Sequence, residues 1–398
     1  MKLYKILVIS TDFDPLIGGT SRHTSCLCNS LSCNGLDVHL LTYGIDTNGY
    51  DRQQNYHIVR INSKNNFNYL YRHLFIPIKL AFSVSKHLKN NDYDLVHVCS
   101  GNYIPLPLRF TTVNIPVIWT IHNLPPAEMS THIIRNCVLN SIFIAFIKPI
   151  FAISVVLSLK FGKFNHIISV SEFIQQKLLL KHVPAEKIDV VPNGVEKRIS
   201  PREATPNFHK KWFTILVIAR VVEHKGQLEL VKAMPRILAH IPHARCIIAG
   251  EIISENYRDS IIEEMKSNSI EDNKIILTGK ISDEDVKGYL SDCDIYVQPS
   301  YEEGFCIAIA EAMYGRVPVI GTETGAIPTF IGNDRGILLP TPNPDSIADA
   351  VIKYFDNPEI MMRYAENGRN YIQQNYDWDA IAKKTIVIYD KVITNRSK

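Results

Sequence analysis

The chain has 398 residues, too many for one ordinary hydrophobic core and suited to two α/β domains of about 200 residues each. Apolar residues make up 46% and charged residues 21%, which excludes a disordered chain, a coiled coil and a fibrous repeat. The net charge of +3 is uneven, since residues 1–200 hold 20 Lys and Arg against 12 Asp and Glu. We therefore expect an anionic membrane or a diphosphate-bearing partner for the basic half. Nucleic acid is not expected, because no binding motif accompanies these charges.

Cysteine usage indicates a reducing compartment. Eight cysteines lie mostly in apolar runs, and no signal-peptide pattern precedes the first strand-like run, residues 5–10. We expect a cytoplasmic protein. Cys26, Cys28 and Cys33 fall within a predicted helix and lack a Cys-x-x-Cys or His partner pattern, so we interpret them as core residues rather than metal ligands.

Short apolar, β-branched runs alternate with helical patterns through the first half of the chain. The runs interpreted as buried parallel strands are residues 6–10, 38–42, 95–99, 117–122 and 167–170. A turn signal at Val191-Pro192-Asn193-Gly194 precedes a polar, Pro-containing stretch, residues 196–207, where we place the linker.

A second strand and helix series follows the linker. Its predicted strands are residues 213–218, 244–249, 274–277, 295–298 and 317–320, with helices starting near Gln227, Tyr257, Asp283, Cys306 and Pro344. This alternation predicts a second doubly wound parallel sheet, so each half is Rossmann-like, with domains at 1–198 and 199–378. Ligands are expected at the carboxyl ends of the strands, in a cleft between the two sheets.

The strongest motif runs from Pro299 to Met313. It places Glu303 in a glycine-containing loop after a strand, and Glu311 about two turns into the following helix. A helix start offers free N–H groups to a phosphate, and a carboxylate can accept two hydroxyl hydrogen bonds from a ribose. The segment predicts sugar-nucleotide binding, and its residues Gly304, Phe305, Cys306 and Ile307 are included in the predicted site. A solvated surface pair is the alternative, but Glu311 stands among Ala, Ile and Met.

Cations follow the first strand of the second half. Arg220 and Lys225 are well placed to neutralise a diphosphate leaving group, although either could be an ordinary surface charge. In the first half, Gly18 and Gly19 let the backbone approach a ligand, and residues 10–19 lack the Gly-x-Gly-x-x-Gly pattern of an NAD site. His122 ends a predicted strand at the same edge, although a lone His is more often structural.

Together these segments resemble the retaining glycosyltransferases of the GT-B fold, family 4 type. The resemblance is carried by the Gly-Gly loop, Thr120-Ile121-His122, Val191-Pro192-Asn193-Gly194, the Arg220 and Lys225 segment and, most specifically, Glu303-x7-Glu311. It implies that Glu311 binds the ribose, that Glu303 contacts donor-sugar hydroxyls, and that Arg220 and Lys225 bind the diphosphate. It also implies that His122 lies near the reacting centre, and that a final helix, residues 379–398, crosses back to the first domain.

The sequence departs from that family at several positions. Asn123 follows His122 where Asp is common, Ala219 replaces a usual Gly before Arg220, and Cys306 stands where Gly is frequent. Residues 324–328 also lack the usual Gly-Gly-x-x-Glu pattern. These departures leave the identity of the donor sugar open.

The resemblance implies transfer of a hexose-type sugar from a nucleotide-diphosphate sugar, with no divalent metal required. Two Asp-x-Asp triplets, at residues 12–14 and 292–294, are interpreted as decoys for a metal motif. The apolar stretch 137–161 is too short on either side of Lys148-Pro149 to span a bilayer, and is either a buried helix pair or an in-plane membrane anchor. An anchor fits a lipid-linked or oligosaccharide acceptor of a bacterial surface polysaccharide. Rival functions are a nucleotide-sugar epimerase and a non-catalytic sugar-nucleotide sensor.

Overall fold

A computed structural model describes residues 4–11, 13, 19–44, 49–61, 82–88, 91–100, 105–109, 115–124, 153, 155–196 and 211–395. The chain divides into two compact units. The first is formed by Met1–Gly194 with Trp378–Lys398, and the second by Val195–Asp377. Each unit contains one twisted sheet, and every strand pair in the described residues is parallel.

Within the described residues, the sheet of the first unit has seven strands. They are β1 (Lys5–Ile9), β2 (Asp37–Tyr43), β3 (His57–Ile61), β4 (Leu95–Val98), β5 (Val117–Ile121), β6 (His166–Ser169) and β7 (Ile188–Val190), in the spatial order β3-β2-β1-β4-β5-β6-β7. The described helices of this unit are α1 (Gly19–Cys33), α2 (82–88), α3 (Pro105–Leu108), α4 (155–161), α5 (Glu172–Leu179) and α13 (Trp378–Thr394). The central strands are buried on both faces, as their apolar sequences require.

In the part of the second unit that the structure describes, residues 195–196 and 211–377, the sheet has six strands. They are β8 (Phe213–Ile218), β9 (Ala244–Ala249), β10 (Ile275–Gly279), β11 (Ile295–Gln298), β12 (Val319–Thr322) and β13 (Ile337–Leu339), in the spatial order β10-β9-β8-β11-β12-β13. The helices of this unit are α6 (Gln227–His240), α7 (Glu255–Ser267), α8 (Asp283–Asp292), α9 (Ile307–Tyr314), α10 (Ile327–Ile331), α11 (Pro344–Asp356) and α12 (Pro358–Asn375).

Both units share one topological feature that positions loops. In the first sheet β1 lies between β2 and β4, and in the second β8 lies between β9 and β11. At such a point the connections leave the central strands toward opposite faces, which opens a crevice at the carboxyl ends of the strands. In the second unit the loops after β8 and β11 therefore border the same crevice.

The last helix, α13, returns to the first unit and packs there on α1. Ile381, Ala382 and Tyr389 join Leu27 and Leu31 in one buried apolar cluster. The indole of Trp378, at the start of α13, lies so close to Gly194 that any Cβ at that position would overlap the ring. The predicted fold class, with two α/β halves and a final helix on the first, is confirmed.

Strand prediction succeeded in the interior of each sheet and at one edge, β10, which was predicted at 274–277 and spans Ile275–Gly279, but it missed the other three edge strands. The predicted bounds of β8, β9 and β11 match the structure, whereas β3, β7 and β13 were not predicted. Each of these three strands is at the edge of its sheet, and each has partly exposed residues. They lack the continuous apolar run that identifies a strand covered on both faces.

Of the stretch 137–161, the structure describes residues 153 and 155–161, and α4 covers the latter. Among the described helices, none has the length and apolar character needed to cross a bilayer. The choice between a core helix pair and an in-plane anchor for residues 137–152 lies outside the described residues.

Candidate functional site

The loops after β8 and β11 meet through an ion pair. Lys225 Nζ donates to Glu303 Oε1 at 2.7 Å. Both side chains are largely removed from water, with exposed fractions of 15% for Lys225 and 7% for Glu303. Close approach of the loops depends on Gly226, which has a φ of 69° and sits where a Cβ would overlap the carbonyl oxygen of Pro299. The fold thus joins two segments that the sequence separates by 78 residues.

A buried polar network lies beneath Glu303. Ser300 Oγ donates to Glu303 Oε1 at 2.9 Å, and Gln298 Nε2 donates to the same oxygen at 3.2 Å. Tyr296 OH donates in turn to Gln298 Oε1 at 2.6 Å. Because three donors converge on Oε1, the carboxylate is held in one orientation.

Tyr296 is affected electrostatically by both carboxylates of the motif. Burial raises the pKa of its phenol well above the ordinary value, and the charges of Glu303 and Glu311 raise it further. Glu311 lies on α9 and is 5% exposed. The structure therefore places Glu303 and Glu311 around the same buried phenol, which stays protonated and donates hydrogen bonds.

The start of α9 is conformationally unusual. Cys306 precedes the helix with a φ of 65°, a left-handed conformation that favours glycine. Its side chain makes no capping hydrogen bond, so the first N–H groups of α9 are not capped by that residue. Burial raises the pKa of the Cys306 thiol well above its ordinary value, with the charge of Glu303 adding to the effect, so the thiol is a poor nucleophile.

The other predicted residues of this segment have distinct surroundings. Gly304 is buried and Ile307 is partly exposed. The ring of Phe305 packs edge-on against Phe330 at 5.0 Å and Tyr376 at 6.0 Å between centroids. The buried side chain of Phe305 therefore anchors the loop.

Arg220 is exposed at the carboxyl end of β8, and its carbonyl accepts a hydrogen bond from Gln227 Nε2 at 2.9 Å. Burial lowers the pKa of the neighbouring His224, and the charges of Lys225 and Arg220 lower it further. Both predicted cations therefore lie on the loop after β8. Lys225 is paired with Glu303, and Arg220 is exposed to solvent.

In the first unit, His122 follows β5 and forms a defined tautomer. Its Nε2 atom donates to the carbonyl oxygen of Cys99 at 3.0 Å, since a carbonyl can only accept. Burial lowers the pKa of His122 to about 4, so the ring is neutral near pH 7. Nδ1 is then an unprotonated acceptor, which suits a hydroxyl donor and not an anion.

His122 is partly exposed and lies against the buried His23; these two residues and the buried His97 form what we call the buried histidine cluster. The His23 ring meets the His122 ring edge-on at 4.5 Å between centroids. His23 is 4% exposed, and burial lowers its pKa well below the ordinary value. His97 contacts Tyr389 OH at 2.6 Å and Thr120 Oγ1 at 2.7 Å, and burial lowers its pKa to about 3. The cluster is polar but uncharged.

Some of the other predicted residues lie outside the residues that the structure describes. Gly19 is the first residue of α1, whereas Gly18 and the triplet at 12–14 are not fully within the described residues. In the second triplet, Asp294 Oδ2 accepts from the backbone N–H of Thr214 at 2.7 Å. That bond ties β8 to the start of β11 and supports a structural role for Asp294.

Sequence reasoning missed three residues of these surroundings: Gln298, Ser300 and His23. A glutamine at the end of an otherwise apolar strand was a signal for Gln298, because a buried amide requires partners. Nothing local distinguished His23, since its neighbours His122 and Trp378 are far along the chain.

Two family models match successive parts of the chain. The model for glycosyltransferase family 4 matches residues 17–198, and the model for glycosyl transferases group 1 matches residues 201–371. An uncharacterized glycosyltransferase of Methanocaldococcus jannaschii is 24% identical over 401 residues, covering 97% of each chain. One subunit of human phosphatidylinositol N-acetylglucosaminyltransferase is 29% identical over 232 residues, which are 57% of this chain and 46% of the human protein.

Solved structures agree on the fold. HepE of Anabaena, in complex with UDP and glucose, superposes with a TM-score of 0.74 at 16% identity, covering 97% of this chain and 99% of that one. Sucrose-phosphate synthase of Thermosynechococcus elongatus superposes with a TM-score of 0.76 at 20% identity, covering 98% of this chain and 100% of that one. The matches and the two parallel sheets identify the chain as a member of the group 1, family 4 type glycosyltransferases with the GT-B fold.

Proposed function

We propose that this protein transfers a hexose-type sugar from a nucleotide-diphosphate sugar to a sugar acceptor, with retention of anomeric configuration. The observation that carries the proposal is the buried pair of Lys225 and Glu303, supported by Gln298 and Ser300, beside Glu311. A charged cluster of this kind at the ends of parallel strands is suited to an anionic, hydroxyl-rich ligand.

Each group has a proposed role in holding the donor. Glu311 accepts two hydroxyl hydrogen bonds from the ribose, and Glu303 accepts from donor-sugar hydroxyls through Oε2. Arg220 and Lys225 bind the diphosphate, together with the N–H groups at the start of α9. UDP is present in HepE structures, as is UDP-glucose in one of them, which supports a nucleotide sugar as the donor.

The proposed reaction requires no covalent intermediate with the protein. The acceptor oxygen bonds to the anomeric carbon from the face that the nucleotide leaves. The bond from that carbon to the phosphate oxygen breaks, and its electron pair stays on the phosphate. The same phosphate takes the acceptor proton, while the two cations stabilise the developing charge. His122 is proposed to accept a hydroxyl hydrogen bond through Nδ1 near the reacting centre, and no divalent metal is needed.

We further propose that the first unit takes a lipid-linked acceptor at the cytoplasmic face of the inner membrane, in bacterial surface polysaccharide synthesis. Ile153, Val156 and Phe161 expose 55%, 46% and 44% of their surface. Lys160 lies on the same helix, α4, over the Phe161 ring. Apolar and basic side chains together suit a peripheral contact with anionic lipid. WaaG, a structural relative with a TM-score of 0.71 at 16% identity, is involved in lipopolysaccharide biosynthesis.

The donor can be tested by thermal unfolding of the full chain with a panel of nucleotide sugars. A bound donor raises the melting temperature. Glu311→Gln replaces a charged acceptor of the ribose hydrogen bonds with a neutral amide, so it should abolish that rise and lower transfer by about 100-fold or more. Asp292→Asn, a carboxylate at the end of α8, should retain transfer when a chelator is present. An active Glu311→Gln enzyme would contradict the site.

The same experiments distinguish the rival functions. Acceptor-independent conversion of the donor sugar would indicate an epimerase, and binding without turnover would indicate a sensor.

Membrane contact is tested by cosedimentation with liposomes containing anionic lipid. Binding should fall as salt rises, because the attraction of Lys160 to the surface is screened. The double substitution Val156→Ser and Phe161→Ser should weaken binding further. No sedimentation at low salt would contradict the membrane part of the proposal while leaving donor binding unaffected.

A further inference from the structure

Three metal-ligating side chains share one face of the first sheet, at the amino ends of two strands. Asp37 begins β2 and His39 lies two positions later, so both side chains point to the same face. His57 begins β3 and is the register partner of His39. One carboxylate oxygen and two ring nitrogens from these residues lie within 4.8 Å of one another. We call Asp37, His39 and His57 the β2–β3 triad.

The central ligand of the triad is already oriented by its surroundings. His39 Nε2 contacts Asp37 Oδ1 at 3.1 Å, while its Nδ1 contacts the hydroxyl of Tyr93 at 2.9 Å. The same hydroxyl contacts His87 Nε2 at 2.7 Å, and Tyr93 is buried. Histidines that bind metals almost always have the second ring nitrogen held in this way, because the bond fixes the tautomer and the ring plane.

His57 has the freedom that ligation requires. His57 is exposed, so its ring can rotate toward the other two groups. In a tetrahedral zinc site with bonds of about 2.1 Å, ligand atoms lie about 3.4 Å apart, so a closure of about 1–1.5 Å is enough.

We propose that the β2–β3 triad binds one divalent cation of the zinc class, with water completing the coordination. Two imidazoles and one carboxylate suit zinc and its neighbours rather than magnesium or calcium, which prefer sets of oxygen ligands. Lys5, the register partner of Asp37, adds positive charge near this site. Because that charge repels a cation, the affinity must come from the ligand set. The cation would join the edge strand β3 to β2, at the sheet end opposite to the carboxyl-end loops.

The experiment is a calorimetric titration of the full chain, freed of metal by a chelator, with Zn²⁺. Wild type should bind one Zn²⁺ through the triad, and His57→Ala should weaken that binding at least about tenfold, since it removes one of three ligands. His240→Ala is the matched control, because His240 is an exposed histidine paired with one carboxylate, Asp356, at 2.9 Å. That control should bind as wild type does. Equal affinities for wild type and His57→Ala would overturn the proposal.

Two further measurements separate the triad from other sites. Tyr93→Phe keeps all three ligands but removes the bond to His39 Nδ1, and should weaken Zn²⁺ binding by about tenfold. Co²⁺ bound by the triad should show d–d absorption without a thiolate charge-transfer band. A thiolate band would contradict the proposal, because it would indicate an exposed cysteine such as Cys33 as the ligand. Circular dichroism checks that each variant is folded.

Discussion

The two units have the same order of their first six strands but handle buried polar groups in opposite ways. Around the ends of β4 and β5, the first unit buries His23 and His97 and partly buries His122, and desolvation lowers the pKa values of all three. Around the ends of β8 and β11, the second unit buries a carboxylate and an ammonium paired at 2.7 Å. Burial is tolerated in the first unit because the histidines are neutral, and in the second unit because the two charges are paired.

The difference teaches what a shared topology leaves undetermined. Strand order brings loops to the carboxyl ends of both sheets, so it determines where a site can form. The side chains in those loops determine which ligand chemistry the site can support. A neutral acceptor nitrogen at His122 suits hydroxyl groups, whereas Lys225 and Arg220 suit phosphates. Four predictions test this contrast.

The largest expected effect is an acid loss of stability that originates in the first unit. The pKa of His122 is lowered to about 4, below the value of about 6.5 for an unfolded chain, so the unfolded chain binds more protons as the pH falls. Stability is full above pH 6.5 and declines below it, by about 1.4 kcal/mol per pH unit for each such histidine down to its folded pKa. Urea unfolding at pH 7.5 and pH 5 measures the loss.

His23→Phe is the matched variant for this prediction. It keeps an aromatic ring beside His122 and Trp378 and removes one buried titrating group. The loss of stability on acidification should become smaller. An unchanged loss would show that the buried histidine cluster does not determine the acid sensitivity.

The next largest effect concerns the ion pair of the second unit. Lys225→Met leaves the Glu303 charge buried with only neutral donors, and should lower the free energy of unfolding by about 3 kcal/mol. Adding Glu303→Gln removes that charge, so the double variant should recover most of the stability while remaining inactive. Urea unfolding at pH 7.5 measures both variants. A stable Lys225→Met single variant would mean that the pair is effectively solvated.

A smaller effect is expected from the network beneath Glu303. Gln298→Leu removes one of the three donors to Oε1, so the carboxylate orientation is less restricted. We expect the KM for the donor to rise about tenfold, equivalent to about 1.4 kcal/mol, with a smaller change in kcat. Steady-state kinetics with the donor identified by the thermal screen provide the measurement. Ser300→Ala should have a similar effect, and an unchanged KM in both variants would exclude a positioning role.

The smallest effect is a gain of stability at the start of α9. Cys306 has a φ of 65°, and replacing it with glycine relieves a strain of about 1 kcal/mol. Cys306→Gly should therefore raise the melting temperature by a few degrees in a thermal scan. Cys306→Ala, which keeps the Cβ, should give no gain. Cys246→Gly, inside β9, should instead lower the melting temperature because the strand is buried.

Much of the architecture was predictable because its causes are local. Buried strands such as β8 and β9 are short, largely apolar runs, and helix starts such as α8 and α11 have capping residues at Ser282 and Asn343. The spacing of Glu303 and Glu311 likewise follows from one loop and one helix. The same local information identified the family, because the most specific motif is contiguous.

By itself, the sequence determined the strands of the sheet interiors, the helix starts and the carboxylates of the motif. Only the tertiary structure decided that Lys225 pairs with Glu303, that His23 lies against His122, and that His57 lies opposite His39. Propensity and capping act over a few residues, whereas these contacts depend on strand order and register, which bring distant residues together.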